Sequence, residues 1–116
     1  MPLYAALTYT PDTDWSLPEN QGEMAEWNAF GEAAAAIIRG GHALYPTATA
    51  TTVTLKGGKS GETVATDGPY AETKEALTGF YILECKDLDE AISWAAKIPA
   101  SWTGAVEVRP ILEFGS

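Results

Sequence analysis

What this chain has least of narrows its chemistry first. It holds one cysteine, Cys85, and one histidine, His42. An internal disulfide is therefore ruled out, and so is a zinc site built on paired Cys/His spacing. Basic residues are scarce, with 7 Lys and Arg against 16 Asp and Glu, a net charge of −9. A surface of that sign repels phosphate backbones and anionic lipid headgroups, and no Lys/Arg run makes a local exception. Neither nucleic acid nor membrane is an expected partner. No apolar run approaches the roughly 20 residues needed to cross a bilayer. The opening MPLYAALTYTPD lacks the basic stretch and long apolar core of a signal peptide, so a cytoplasmic protein is expected. There is no GxGxxG fingerprint. Gly58-Lys59-Ser60 resembles the end of a phosphate-binding loop, but Val53 stands where its first glycine belongs. No cofactor is expected, and no carboxylate spacing requires a metal.

What remains is ordinary globular material. The 116 residues are 46% apolar, enough for one domain over 1–116 with a real core. Residues 2–10 alternate Leu3, Ala5, Leu7 and Tyr9 with Tyr4, Ala6 and Thr8, the period of a strand. Ser16 with Glu19, or Asn20 with Glu23, has capping-box spacing. A helical stripe of Met24, Trp27, Phe30, Ala34 and Ile37-Ile38 follows, with Gly40-Gly41 as its expected stop. Short strands are expected at 42–45, 49–56 and 62–66, the last two joined by the hairpin loop Gly57–Gly61. The strongest strand is 78–84, and Asp87 with Glu90 caps a helix over 88–98 that Pro99 closes. A last strand runs from 105 to 114. The order β-α-β, hairpin, β-α-β is an α+β, ferredoxin-like plan with an inserted β-hairpin. Its helices cover one sheet face, so a second copy of the chain is the economical cover for the other, and a homodimer is expected. Cys85, ending an apolar run, reads as a small buried hydrophobe.

Candidate chemistry gathers at the corner Asp67-Gly68-Pro69-Tyr70, just ahead of the strongest strand. Asp67 could act as an acid/base carboxylate paired with an imidazole, or could simply accept the backbone N–H bonds that make the turn. His42 is the one side chain whose ordinary titration lies near neutrality; it could meet Asp67 across a cleft, or sit as a cation at a helix C-terminus. Tyr70, Glu72, Lys74 and Tyr81 are candidate substrate-binding groups. For Glu72 and Lys74 the alternative is a solvated loop pair of little weight. Arg109 could bind an anion, but a cross-strand pair with an acidic neighbour is the simpler reading.

Together, TATATTV at 47–53, TDGPYAETKEALTGFYILE at 66–84, AAKIP at 95–99 and VEVRP at 106–110 resemble the YCII-related proteins, in particular their DGPF-type branch. Tyr70 replaces the phenylalanine of the naming turn, and Asn28 stands near where some relatives carry a histidine. The resemblance implies a dimeric α+β barrel with a polar cleft proposed as an active site. Some relatives use a His–Asp pair there, and one branch is linked to dehalogenation of chlorinated aromatics. It also implies an alternative, since some members are encoded beside or fused to extracytoplasmic-function sigma factors. Two readings of different class follow. One is a small-molecule binder or acid/base enzyme using Asp67 and His42; the other is a non-catalytic regulatory module that partners a sigma factor.

Overall fold

In the computed structural model, residues 1–22 and 24–114 are described, and they form a mixed α+β chain with antiparallel sheets. In chain order the elements are β1 (Leu3–Thr10), α1 (Met24–Ala33), β2 (Ile38–Ala43), β3 (Thr51–Lys56), β4 (Glu62–Asp67), β5 (Ala76–Glu84), α2 (Leu88–Ala95), α3 (Ala100–Thr103) and β6 (Ala105–Pro110). Four strands make one sheet in the order β2-β5-β1-β6, while β3 and β4 pair only with each other.

The alternation in β1 places its residues as the pleat requires. Tyr4, Ala6, Thr8 and Thr10 are buried, and the residues between them are half-buried. Tyr4 and Ala6 join Leu83 of β5, Phe30 of α1 and Ala91 of α2 in a single core, so both long helices lie on that face of the sheet. Leu83 and Ile98 are fully buried at its centre. The opposite face carries Leu3, Ala5 and Leu7, paired in register with Glu84, Ile82 and Phe80. One sheet layer plus one helix layer gives a slab 46 × 44 × 20 Å.

The β3–β4 ladder buries little. All six residues of β4 are exposed, and Val53 of β3 is 60% exposed. A hairpin of this kind, with no face packed against anything, is at best marginally stable alone. It also swells the chain: the radius of gyration is 16.4 Å, against about 13 Å for a compact chain of this length.

Several local expectations need correction. Helix α1 stops at Ala33, turns follow through Ile37, and Gly40-Gly41 lie inside β2 rather than ending the helix. His42 is therefore a strand residue opposite Phe80, not a group at a helix C-terminus. Ser16 bonds Asp14 through both its amide and hydroxyl, and Asn20 donates to the Asp14 carbonyl, so neither opens α1 as a cap. The Asn20–Glu23 pairing lies outside the described residues. Helix α2 ends at Ala95, and Pro99 precedes the short helix α3 instead of a loop. On α2, Leu88 and Ile92 are exposed while Ala91 and Ala95 are buried, so the inward stripe is narrower than the apolar pattern suggests.

The cap of α2 is as expected: the Glu90 amide donates to Asp87 Oδ1 at 2.9 Å, and the Lys86 amide donates to Glu90 Oε1 at 3.0 Å. Removing that cap with Asp87→Ala should cost about 1 kcal/mol. A lower urea midpoint with an unchanged slope would report it; no shift would mean water replaces the carboxylate freely.

Candidate functional site

A cavity of about 670 Å³ lies between α1 and the helix-facing side of β2 and β5. It exists because the residues that would fill it have little or no side chain: Gly41, Ala43 and Gly79 on the strands, Gly31 and Ala35 on and just past α1. Two of these glycines are obligatory. A Cβ on Gly41, whose φ is +154°, would lie 2.5 Å from the Phe80 carbonyl oxygen, and one on Gly79 would lie 2.8 Å from that of His42. Gly31 is different, since a Cβ there would meet nothing within 4 Å.

Aromatic rings wall the space. Trp15, from the loop after β1, meets Trp27 edge to face at 5.9 Å, and Trp27 stacks on Tyr81 at 6.5 Å. Phe30 supports Tyr81 from the core side at 5.1 Å. The indole N–H of Trp27 is buried without a hydrogen-bond partner, a cost of about 1–3 kcal/mol that packing must offset. Burial pushes the Tyr81 phenol above its ordinary value of 10.0. Folded protein thus keeps this proton at pH values where the unfolded chain has released it. Its contribution to stability is complete below about pH 10 and is lost as pH rises through the folded value. Tyr81→Phe should flatten the loss of stability seen in urea titrations above pH 10; equal losses in both proteins would show that the phenol is solvated.

The floor is polar. Thr8, Thr10 and Thr78 are buried side by side at a bulge between β1 and β5. The Thr10 hydroxyl donates to Thr78 Oγ1 at 3.0 Å, Thr78 Oγ1 lies 3.3 Å from Thr8 Oγ1, and it can donate to the Thr8 carbonyl at 3.4 Å. Asn28 and Glu32 of α1 complete the polar lining, which includes no lysine or arginine.

The residues singled out from the sequence fall into separate places. Tyr81 lines the cavity. His42 borders it with its backbone, but its ring packs against Phe80 at 5.9 Å, on the face the helices leave uncovered. Asp67 ends β4 and is exposed. Among the described residues the two ion pairs are Arg39–Glu84 and Arg109–Glu107, so one chain does not join His42 to Asp67. Arg109 pairs within its own strand, two residues from Glu107, rather than across strands. Glu72 and Lys74 rim a second cavity of about 600 Å³ with Asp12, Tyr45 and Leu77. Tyr70, 88% exposed, lines neither. Cys85 is fully buried, and burial, with Glu90 and Asp87 adding to it, pushes its thiol up and away from reactivity.

Residues 3–115 match the family described as the YCII-related domain. The chain belongs to the YCII family. An uncharacterized protein of Rhizobium meliloti (strain 1021) is 37% identical to it over 116 residues, covering 94% of this chain and 91% of that protein. Among solved structures, the chain resembles 5-chloro-2-hydroxyhydroquinone dehydrochlorinase (TftG) from Burkholderia phenoliruptrix AC1100, determined in complex with 2,5-dihydroxybenzoquinone. The TM-score is 0.50 and the identity 21%, over 97% of this chain and 95% of that one.

In this YCII chain the lining residues that the sequence reading did not single out for a site include Trp15, Gly31, Glu32, Thr8 and Thr78. One signal was available. Glycine inside an apolar helix costs about 1 kcal/mol against alanine, so Gly31 called for a reason, and the open space beside it is that reason. Trp15 in a polar loop was a weaker hint. The threonines carried none, because their meeting depends on the β1–β5 register.

Proposed function

We propose that this YCII-family chain binds a small, ring-shaped organic molecule in the cavity under α1 and acts as a homodimer. The observation that carries the reading is the cavity itself: aromatic on its walls, polar at its floor, and within the roughly 300–1,000 Å³ usual for small-molecule sites. The sheet order, with helices on one face, supports a ferredoxin-like plan with β3–β4 as an insertion, and the DGPY turn at 67–70 supports the DGPF-type branch. A similar fold in an enzyme whose structure is a complex with 2,5-dihydroxybenzoquinone is an analogy that favours small-molecule chemistry over a structural role. The regulatory alternative, partnership with a sigma factor, draws no support from the fold or the comparisons.

Dimerisation accounts for two exposed features at once. A second copy would cover the apolar face carrying Leu3, Ala5 and Leu7, and would give the bare β3–β4 ladder something to pack on. In that pairing the acid/base reading belongs to the dimer. The His42 ring stands on the uncovered face and Asp67 ends the exposed strand β4, so a partner's hairpin is what would bring an Asp67 to His42. Tyr81 serves the ligand directly, while Glu72 and Lys74 belong to the second cavity and Tyr70 to neither.

Tryptophan fluorescence tests the first half, since Trp15 and Trp27 wall the cavity. Titration with benzamide, phenol and indole should quench the emission saturably for at least one compound. Non-saturating quenching by all three would remove the cavity as a ligand site. Sedimentation at twice the 12.3 kDa chain mass is expected; a monomer at micromolar concentration would sink the dimer and, with it, the His42–Asp67 pair.

A further inference from the structure

We infer that the Tyr81 phenol is the hydrogen-bond donor of the cavity, aimed by its packing at an oxygen acceptor carried on the ligand's ring. The inference deepens the ligand-binding reading above and rests on it.

The other polar groups of the lining are satisfied, sealed off or exposed. The threonine hydroxyls bond one another and nearby carbonyls: Thr10 can donate to Thr78 Oγ1 or to the Pro11 carbonyl, and Thr78 to the Thr8 carbonyl. The Trp27 indole N–H is sealed even from water, so a ligand oxygen does not reach it. Asn28 and Glu32 are exposed on α1, where water competes for each bond they make. Trp15 stands in a turn of the loop after β1, with no strand or helix to aim it. Tyr81 differs from all of these. It lines the cavity, half-buried, and its hydroxyl makes no hydrogen bond to the described residues. That oxygen is not sealed either, since the side-chain atoms buried without a partner are Trp27 Nε1 and Glu75 Oε2. The phenol is open and unclaimed by the protein.

Packing fixes where it points. Tyr81 lies on β5, between β2 and β1, opposite Gly41 on one side and Ala6 on the other. Trp27 stacks on its ring at 6.5 Å, and Phe30 meets it edge to face at 5.1 Å. A Cβ on Gly41 would stand 3.2 Å from Tyr81 Cδ1, so the β2 backbone closes a third side. A ring held in this way can flip about its own axis without moving its oxygen. The donor is preorganised and loses little side-chain freedom when it bonds. Burial pushes the phenol above its ordinary 10.0, so it keeps its proton through the neutral range. A ligand oxygen against it gains a hydrogen bond. A ligand of the same shape without the oxygen shuts the hydroxyl away unpaired, and binding pays a desolvation penalty. The ligand class is therefore a flat ring bearing a carbonyl or other oxygen acceptor.

Acetophenone and α-methylstyrene share a ring and nearly a shape, but the C=O of the first is C=CH2 in the second. Affinities of both are measured by ligand-observed NMR on wild-type protein and on Tyr81→Phe, which keeps the ring and removes the donor. Acetophenone affinity should fall about fivefold to tenfold in the variant, the worth of one neutral hydrogen bond. The affinity for α-methylstyrene should hold or rise. In wild-type protein the carbonyl stretch of bound acetophenone should lie below its frequency in hexane, a readout that serves even if Tyr81→Phe does not fold. An unchanged acetophenone affinity in a folded Tyr81→Phe, an equal loss for both compounds, or a bound carbonyl at its hexane frequency would each overturn the inference while the cavity stays a ligand site. So would binding of phenol or indole without acetophenone. Failure of all four compounds to bind would overturn both readings.

Discussion

Gly41→Ala is expected to lower the melting temperature by on the order of 15 °C, or to prevent folding at 37 °C. The added Cβ would stand 2.5 Å from the Phe80 carbonyl oxygen, which is backbone held in the β2–β5 ladder and cannot swing aside. At φ +154° the position also lies in the region that only glycine visits freely. Strain of about 1–3 kcal/mol from the backbone adds to a similar cost of overpacking, giving roughly 4 kcal/mol. For a chain of this size each kcal/mol moves the melting temperature by about 4 °C. Differential scanning calorimetry decides the matter. A shift below 5 °C would mean that β2 can slide away from β5, and the cavity floor would then be far softer than its geometry suggests.

Gly31→Leu should produce two effects of opposite sign. Leucine is a better helix former than glycine by somewhat less than the roughly 0.8–1.0 kcal/mol that separates glycine from alanine, and a Cβ at this position meets nothing within 4 Å. The melting temperature should rise by a few degrees. The side chain then extends into the space between α1 and the sheet, so the affinity for benzamide should fall at least tenfold, the ring losing the room it needs. A gain in stability with unchanged binding would place the ligand elsewhere, the rim of Glu72 and Lys74 being the next candidate. A loss of stability would mean that the space closes in solution. The contrast with Gly41 is instructive: both are glycines lining one cavity, but one answers to a backbone collision and the other to the void.

Where the chain's chemistry is local, the sequence read well. The alternation of β1, the apolar run of β5 and the Asp87–Glu90 cap each depend on residues a few positions apart, and each stands in the structure as its pattern implies. The hairpin strands were legible for the same reason, with Gly57 and Gly58 at φ +88° and +90° making the turn. The end of α1 was not. Ala34 to Ile38 suits a helix by propensity, but Ile38 pairs with Leu83 and the Ile37 carbonyl accepts from the Glu84 amide, so β5 recruits the segment into the sheet.

The same logic divides the residues of the candidate site. Composition alone excluded an internal disulfide and a zinc site built on paired Cys/His spacing, and the DGPY turn with its neighbouring motifs pointed to the family that residues 3–115 match. That Tyr81 lines the cavity was reachable because it follows Phe80 on a strand whose residues alternate between faces. The cavity was not reachable, since it is made by what is missing at Gly31, Gly41 and Gly79, far apart in the chain and adjacent only once α1 lies across β2 and β5. The threonine cluster shows the limit most plainly. Thr8 and Thr78 are 70 residues apart, and only the β1–β5 register, with its bulge at Thr8/Tyr9, brings their hydroxyls within 3.3 Å. Local pattern determined which segments became strands and helices; pairing over long sequence distances, driven by burial of Tyr4, Ala6, Phe30 and Leu83, decided where an empty and polar place would be left among them.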